Sequence, residues 1–225
     1  MITKRLKKYF VILFLILILI LYFFESYLSL ISKNQSRSEI YKYLKKKNNE
    51  VGLAVGPNTY LDKNYKIFPL SGISNTKTVY CNENGYYSIY QSDRYGFNNP
   101  DNEWNKEKIK FFLIGDSFTH GACVNRPKDI ASNLRLLSND SVLNLGYGGN
   151  GPLIEYASLR EYFPNKKVNK ILIFYSDAND FNDFNLEIEN PILRKYFDNE
   201  NFSQDLKNKQ NEIDKILLKK FNSEI

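Results

Sequence analysis

The sequence has few of the residues from which catalytic and metal sites are most often built. Its 225 residues include one histidine, His120, and two cysteines, Cys81 and Cys123. A single histidine restricts imidazole acid–base chemistry to one position. Two cysteines allow one disulfide at most, which leaves a Cys81–Cys123 bridge or two unpaired buried thiols as the alternatives. We expect no cofactor.

Patterns for metal and nucleic-acid binding are also missing. Asp177, Asp180 and Asp183 lack the Gly and the terminal Glu of a calcium loop, so a solvated turn is the better interpretation. The net charge is +6, but residues 4–8 supply four of these charges and Lys45–Lys47 adds a short basic run. No basic stripe is interleaved with aromatic residues, so we expect no nucleic-acid partner.

The most apolar part of the chain lies at its N-terminus. Tyr9–Phe24 is a run of 16 residues without a charged or strongly polar group, and apolar residues continue beyond Glu25. About 20 such residues are enough to span a bilayer. We predict a cytoplasmic basic start and a single-pass membrane anchor over residues 1–32, with the rest of the chain outside the cytoplasm. A cleaved signal peptide is the alternative, although no Ala-x-Ala pattern follows.

Residues 33–107 are predicted to form a juxtamembrane helix and a small β-rich extension. Ser36–Glu50 is weakly amphipathic, which favours the helix. Thr76–Tyr80 and Tyr86–Tyr90 flank a turn that contains Gly85, which is typical of a hairpin. An exported domain can hold a disulfide, and a bridge between the two cysteines would join this extension to the chain beyond residue 117.

Residues 108–225 show an alternating strand and helix pattern. Three short apolar runs, Ile109–Ile114, Val142–Leu145 and Ile171–Tyr175, are separated by stretches with helical spacing. Strands that alternate with helices indicate right-handed crossovers and a parallel sheet covered on both faces. The last part, Asn182–Ile225, is charged and helix-prone without a further strand.

A short motif follows each of the three strands. These are Gly115-Asp-Ser-Phe118, Asn144-Leu-Gly-Tyr-Gly-Gly-Asn-Gly-Pro152 and Asp177-Ala-Asn-Asp180. In type and order they resemble the first three blocks of the SGNH/GDSL hydrolases, with Asp177 in place of the first Gly of the third block. The resemblance implies a flavodoxin-like, doubly wound parallel sheet in a three-layer arrangement. Since that arrangement has about five strands, we expect the domain to be incomplete at its C-terminus.

The resemblance also implies roles for individual residues. Ser117 corresponds to the nucleophile, and the backbone N–H groups of Ser117 and Gly149 with the side-chain amide of Asn179 correspond to the oxyanion donors. Gly148 and Gly151 are the near alternatives to Gly149. A tight turn would explain the glycines equally well, and Asn179 could act as a helix cap.

The base that a serine nucleophile needs is missing from the sequence. In the SGNH family it belongs to an Asp-x-x-His block, which does not occur here. His120 follows Ser117 by three residues, and we interpret it as a wall or packing residue. A haloacid-dehalogenase-like phosphatase is disfavoured because no Asp-x-Asp occurs.

The expected function is therefore that of an SGNH-type serine ester hydrolase or O-acyl/acetyl transferase-like protein. The resemblance suggests acyl esters of cell-envelope carbohydrate as substrates, with activity impaired for lack of the Asp/His pair. The alternative is a non-catalytic SGNH-fold protein that binds glycan, an envelope polymer or another partner at the membrane surface.

Overall fold

A computed structural model of the chain describes residues 4–31, 35–47, 51–62 and 65–224. The chain divides into two compact units, Met1–Ser36 and Arg37–Ile225. The predicted β-rich extension, from residue 37 onward, and the predicted α/β domain over residues 108–225 both belong to the second unit.

The first unit contains one long helix, α1, over Lys4–Ile31. Within Arg5–Leu30, an 18-residue window has a mean hydropathy of 2.6, and none of that window is buried. Helix α1 is apolar on all sides and exposed, and its length and composition are sufficient to cross a membrane. The apolar helix of the predicted anchor is therefore confirmed, whereas the side on which the second unit lies stays a prediction.

The second unit begins with helix α2, Arg37–Lys47, and a small mixed sheet. Its strands are β1 (Val51–Leu53), β2 (Lys77–Val79) and β3 (Ile89–Gln91). Strands β1 and β2 are parallel, and β2 pairs antiparallel with β3. The antiparallel pair confirms the predicted hairpin.

A second sheet carries three parallel strands in the order β5-β4-β6. They are β4 (Lys108–Gly115), β5 (Val142–Asn144) and β6 (Lys167–Phe174). The helices between them are α3 (Ser117–His120), α4 (Ile130–Ser138) and α5 (Pro152–Tyr162). Because β4 is central, its apolar residues Phe112 and Leu113 are fully buried on opposite faces. The predicted α/β class with a parallel sheet is confirmed.

Three helices follow the last strand, as the charged, helix-prone sequence indicates. They are α6 (Asp180–Glu187), α7 (Pro191–Asp198) and α8 (Gln210–Glu224). Short 3₁₀ turns cover Pro57–Tyr60, Asp101–Asn105 and Leu206–Lys209. Ile213 and Phe221 of α8 lie in the same apolar core as Val51 and Val79 of the small sheet. The small sheet, the parallel sheet and the C-terminal helices therefore share one core.

The two cysteines form a disulfide. Cys81 follows β2, Cys123 follows α3, and 42 residues separate them in the sequence. The bond thus joins the hairpin of the small sheet to the loop beyond Ser117. Nearby, the side-chain amide of Asn84 donates to the carbonyl of Cys123 at 3.1 Å, which links the same two segments again.

The segment that connects the two sheets is organised by one buried carboxylate, Asp93. The side chain is fully buried, and its Oδ1 accepts the backbone N–H groups of Tyr95 and Phe97 at 2.9 and 3.0 Å. Its Oδ2 accepts the Asn99 amide at 2.9 Å and the Trp104 indole at 2.7 Å. Four donors converge on the carboxylate, which is the compensation that a buried charge requires.

Two asparagines of this segment form hydrogen bonds with the parallel sheet and the helix that follows β4. The Asn99 amide donates to the carbonyl of Asn144 at 2.8 Å, and its oxygen accepts the Asn144 N–H at 2.9 Å. The Asn98 amide donates to the carbonyl of His120 at 2.9 Å. Gly96 has φ +83°, and a Cβ there would lie 2.0 Å from the carbonyl oxygen of Gly72, so the turn needs glycine.

We expect Asp93→Ala to lower the free energy of unfolding by about 3 kcal/mol or more, because it removes the acceptor of four hydrogen bonds, three of them fully buried. Asp101→Ala is the matched control, since Asp101 pairs with Arg94 in an ion pair that is one-third or more exposed on both sides. Such pairs contribute about 1 kcal/mol or less. Thermal unfolding of the detergent-solubilised full chain measures both, and equal losses would contradict the central role of Asp93.

Candidate functional site

Ser117 stands where the central strand of the parallel sheet ends. It is the first residue of α3, directly after Asp116, and its side chain is half-buried. Asn179 directly precedes α6, a few residues after the end of β6. Because β4 and β6 are parallel neighbours, their carboxyl ends meet at one edge of the sheet.

Both residues line one pocket at that edge, with a volume of about 260 Å³. Its walls are formed by Asp116, Ser117, Phe118, Thr119, Phe174, Tyr175, Ser176 and Asn179. The rim is apolar on two sides, because Phe118 is 81% exposed and Tyr175 is 64% exposed. The structure thus brings a serine hydroxyl and a side-chain amide together beneath exposed aromatic rings.

Gly149, the predicted backbone donor, lies beside this pocket rather than in its wall. Its φ is +85°, in the left-handed region that favours glycine. Its N–H donates to Oδ1 of Asp116 at 2.6 Å. Burial raises the pKa of Asp116, while hydrogen bonds from the N–H groups of Gly149, Ser117 and Asn150 oppose that rise. A carboxylate thus holds both backbone donors that the sequence predicts for an oxyanion.

The Asn179 amide is also engaged by a carboxylate. Its Nδ2 donates to Oδ2 of Asp183 at 2.7 Å, within the first turn of α6. The side chain makes no cap hydrogen bond to the helix backbone, so the alternative role of helix cap does not apply. Instead Asp180 fixes the turn, since its Oδ2 accepts the Ser176 N–H at 2.7 Å.

His120 is a fully buried packing residue. Its ring lies between Tyr80 and Tyr147, with centroid distances of 4.3 Å to each. Nδ1 accepts the N–H of Gly148 at 3.0 Å, and Nε2 lies 3.0 Å from the hydroxyl of Tyr90. Because Nδ1 is an acceptor, the proton of the neutral ring lies on Nε2. Burial lowers the pKa of His120 to about 3, so the ring carries no charge near neutral pH.

Two buried glutamates near the pocket carry no signal in the sequence. Glu187 accepts the N–H groups of Gly151 and Leu153 at 2.6 and 2.8 Å and so satisfies the start of α5. Burial raises the pKa of Glu187 to about 7. Glu155 lies one turn into α5, and burial, together with the charges of Asp180, Asp116 and Glu187, raises its pKa to about 8. Only the tertiary fold brings these acids together.

A larger cavity of about 530 Å³ is lined in part by residues of α6. Asp62, Asp183, Glu187 and Glu189 are among its lining residues, but it does not contain Ser117. Within the described part of the chain, no group of three or more His, Cys, Asp or Glu side chains is arranged to hold a metal ion. The smaller pocket is therefore the site with the chemistry that the sequence motifs indicate.

No protein-family model, curated protein or solved structure matches this chain.

Because the chain has one histidine, its protonation is directly measurable. We expect the ¹³C-labelled His120 ring signals not to titrate between pH 5 and pH 8, since the pKa is lowered to about 3 by burial. NMR of the full chain in detergent micelles measures this. A midpoint near the ordinary pKa of about 6.5 would contradict the packing role and make the ring available as a base.

The raised pKa of Glu155 predicts that the stability of the fold depends on pH. With a pKa of about 8 in the folded chain, Glu155 stays protonated while the unfolded chain ionises. Its contribution to stability is therefore lost as the pH rises from about 4.5 to about 8. We expect Glu155→Gln to raise the melting temperature relative to the parent by about 3 °C or more at pH 8.5 and by less at pH 5.

Glu189→Gln, at an exposed position after α6, controls for the loss of a carboxylate. The Glu155 prediction fails if the melting temperatures of Glu155→Gln and the parent chain run parallel from pH 5 to pH 8.5.

Proposed function

We propose that the pocket at the carboxyl ends of β4 and β6 is the nucleophile and oxyanion half of an SGNH/GDSL-like serine ester hydrolase or O-acyltransferase site. The observation that carries this proposal is that Ser117 and Asn179 line the same pocket, although 62 residues separate them in the sequence. The parallel order of β5, β4 and β6 supports a flavodoxin-like arrangement of the SGNH type.

The reaction follows from the chemistry of the serine. The Ser117 hydroxyl adds to an ester carbonyl and loses its proton to a base, and the alcohol then leaves with a proton. Water or an acceptor hydroxyl takes the acyl group from the serine. The negative oxygen formed on the way needs N–H donors, each worth about 3 kcal/mol. Gly149 and Asn179 provide them when the oxyanion replaces the carboxylates of Asp116 and Asp183.

The described residues supply no imidazole base to this pocket, because His120 is buried with both nitrogens engaged. In this proposal the base is therefore a group from outside the described residues. The exposed rings of Phe118 and Tyr175 form an apolar rim that suits an acyl group. A location at the membrane favours acyl or acetyl esters of cell-envelope carbohydrate.

A non-catalytic role is the second candidate. It is favoured by the same carboxylates: Asp116 places a negative charge on the Gly149 N–H, where an oxyanion would develop. A protein that binds glycan or another partner at the membrane surface has no need of a free oxyanion donor. In that case Ser117 is only a polar residue of the pocket wall.

A fluorophosphonate probe separates the two candidates, because it reacts with activated serines. We expect the full chain in membranes or detergent to be labelled at Ser117 and the labelling rate to rise with added imidazole, which supplies a diffusible base. Ser117→Ala is expected to abolish labelling. Ser176→Ala is the matched control, because Ser176 lines the same pocket and keeps the nucleophile intact.

Mass spectrometry of the labelled peptide identifies the modified residue. Absence of Ser117 labelling from a folded sample, with imidazole and in native membranes alike, would overturn the enzyme proposal and leave the binding role.

A further inference from the structure

Helix α2 has two unlike faces. One face is packed against the core, since Tyr41 is only 2% exposed and Ile40 and Leu44 pack against the same cluster. Arg37, the first residue of the helix, donates to the carbonyl of Val79 in β2 at 3.3 Å. These contacts attach α2 to the second unit and leave its opposite face in contact with solvent.

The opposite face is basic and contains one aromatic ring. Residues three and four apart are neighbours on a helix. This spacing forms an exposed patch, the basic face of α2, from Lys42, Tyr43, Lys46 and Lys47. Glu39 is the only acidic residue of this helix. Within the described part of the chain, Lys46 and Lys47 form no ion pair. The basic face therefore has a net positive charge.

The basic face lies close in the sequence to the helix that is able to cross a membrane. Helix α1 ends at Ile31, and α2 begins at Arg37. Six residues of fully extended chain reach about 20 Å at most. Helix α2 is therefore tethered close to the headgroups of a membrane that α1 crosses.

Anionic lipid headgroups are the partner that this combination of charge and position fits. Lysines next to a membrane span are attracted to such headgroups, and the attraction falls off within a Debye length. A tyrosine ring is favoured at the same level, where both its apolar body and its hydroxyl are accommodated. A soluble polyanion would also attract the lysines, but it would not explain an exposed tyrosine between them on the helix that follows α1.

We propose that the basic face of α2 binds the anionic headgroups of the membrane that α1 crosses, with the ring of Tyr43 at headgroup level. The inference rests on α1 as the membrane anchor and does not depend on the chemistry at Ser117. Because Tyr41 and Arg37 attach α2 to the second unit, this contact would hold that unit against the membrane surface.

A fluorophore on the basic face tests the contact directly. Since the native cysteines are bonded to each other, Tyr43→Cys provides the one free thiol for a polarity-sensitive dye. The labelled full chain is placed in nanodiscs of phosphatidylcholine alone or of phosphatidylcholine with phosphatidylglycerol. We expect quenching by acrylamide, a neutral water-soluble quencher, to be about threefold weaker with the anionic lipid and to recover in about 1 M salt.

Charge reversal separates the effect of the basic face from that of net charge. In the Tyr43→Cys background, we expect Lys46→Glu/Lys47→Glu to give equal quenching in both kinds of nanodisc. Lys215→Glu/Lys219→Glu is the matched control, because it makes the same change in net charge at two exposed positions of α8. This control is expected to keep the protection by the anionic lipid.

Three results would overturn the proposal. The first is equal quenching of the Tyr43→Cys chain, without charge reversal, in both kinds of nanodisc at low salt. If added polyphosphate then protects the dye in both, the face belongs to a soluble polyanion instead. The second is an equal loss of protection in the two charge-reversed variants. The third is elution of the chain apart from the nanodiscs, because α1 would then not hold α2 at a membrane.

Discussion

The constraint on which the rest of the structure depends is the burial of the Asp93 carboxylate. A buried charge is tolerated only when donors surround it, so the four groups that converge on Asp93 must keep their positions. Asn99, one of these donors, also bonds both backbone groups of Asn144. The end of β5 and the turn after the small sheet are thereby held as one piece. Asp93 therefore helps to position the carboxyl end of β5, although it does not line the pocket.

Carboxylates also order the loops near the pocket, because they accept hydrogen bonds from backbone N–H groups of those loops. Asp116 holds the Gly149 N–H, and Glu187 holds the first N–H groups of α5. Each bond orders a loop that would otherwise leave buried donors unpaired. For the pocket this has a consequence, because N–H groups that are aligned for a carboxylate are also aligned for another anion. In the reaction proposed for this pocket, stability of the loop and binding of an oxyanion would therefore compete for the same donors.

Local pattern was enough to predict the strands and the motifs after them. The apolar run of β4 indicates a strand buried on both faces, and parallel neighbours bring Ser117 and Asn179 to one edge. The sequence could not show that Asp116 accepts a hydrogen bond from the Gly149 N–H, because this bond depends on the distance between two loops. Nor could it show that Glu155 lies among other acids, since its position on α5 looks like that of any helical glutamate. Sequence periodicity indicates which face of a helix or strand is buried, but the neighbours of a buried side chain depend on tertiary contacts.

The single histidine illustrates how packing and catalysis exclude each other. His120 packs between two tyrosine rings as a neutral ring. Because burial lowers its pKa to about 3, the ring stays neutral even at pH values well below 7. A base must gain a proton near the working pH, which this environment opposes. For the reaction proposed at Ser117, the base is therefore a group other than His120.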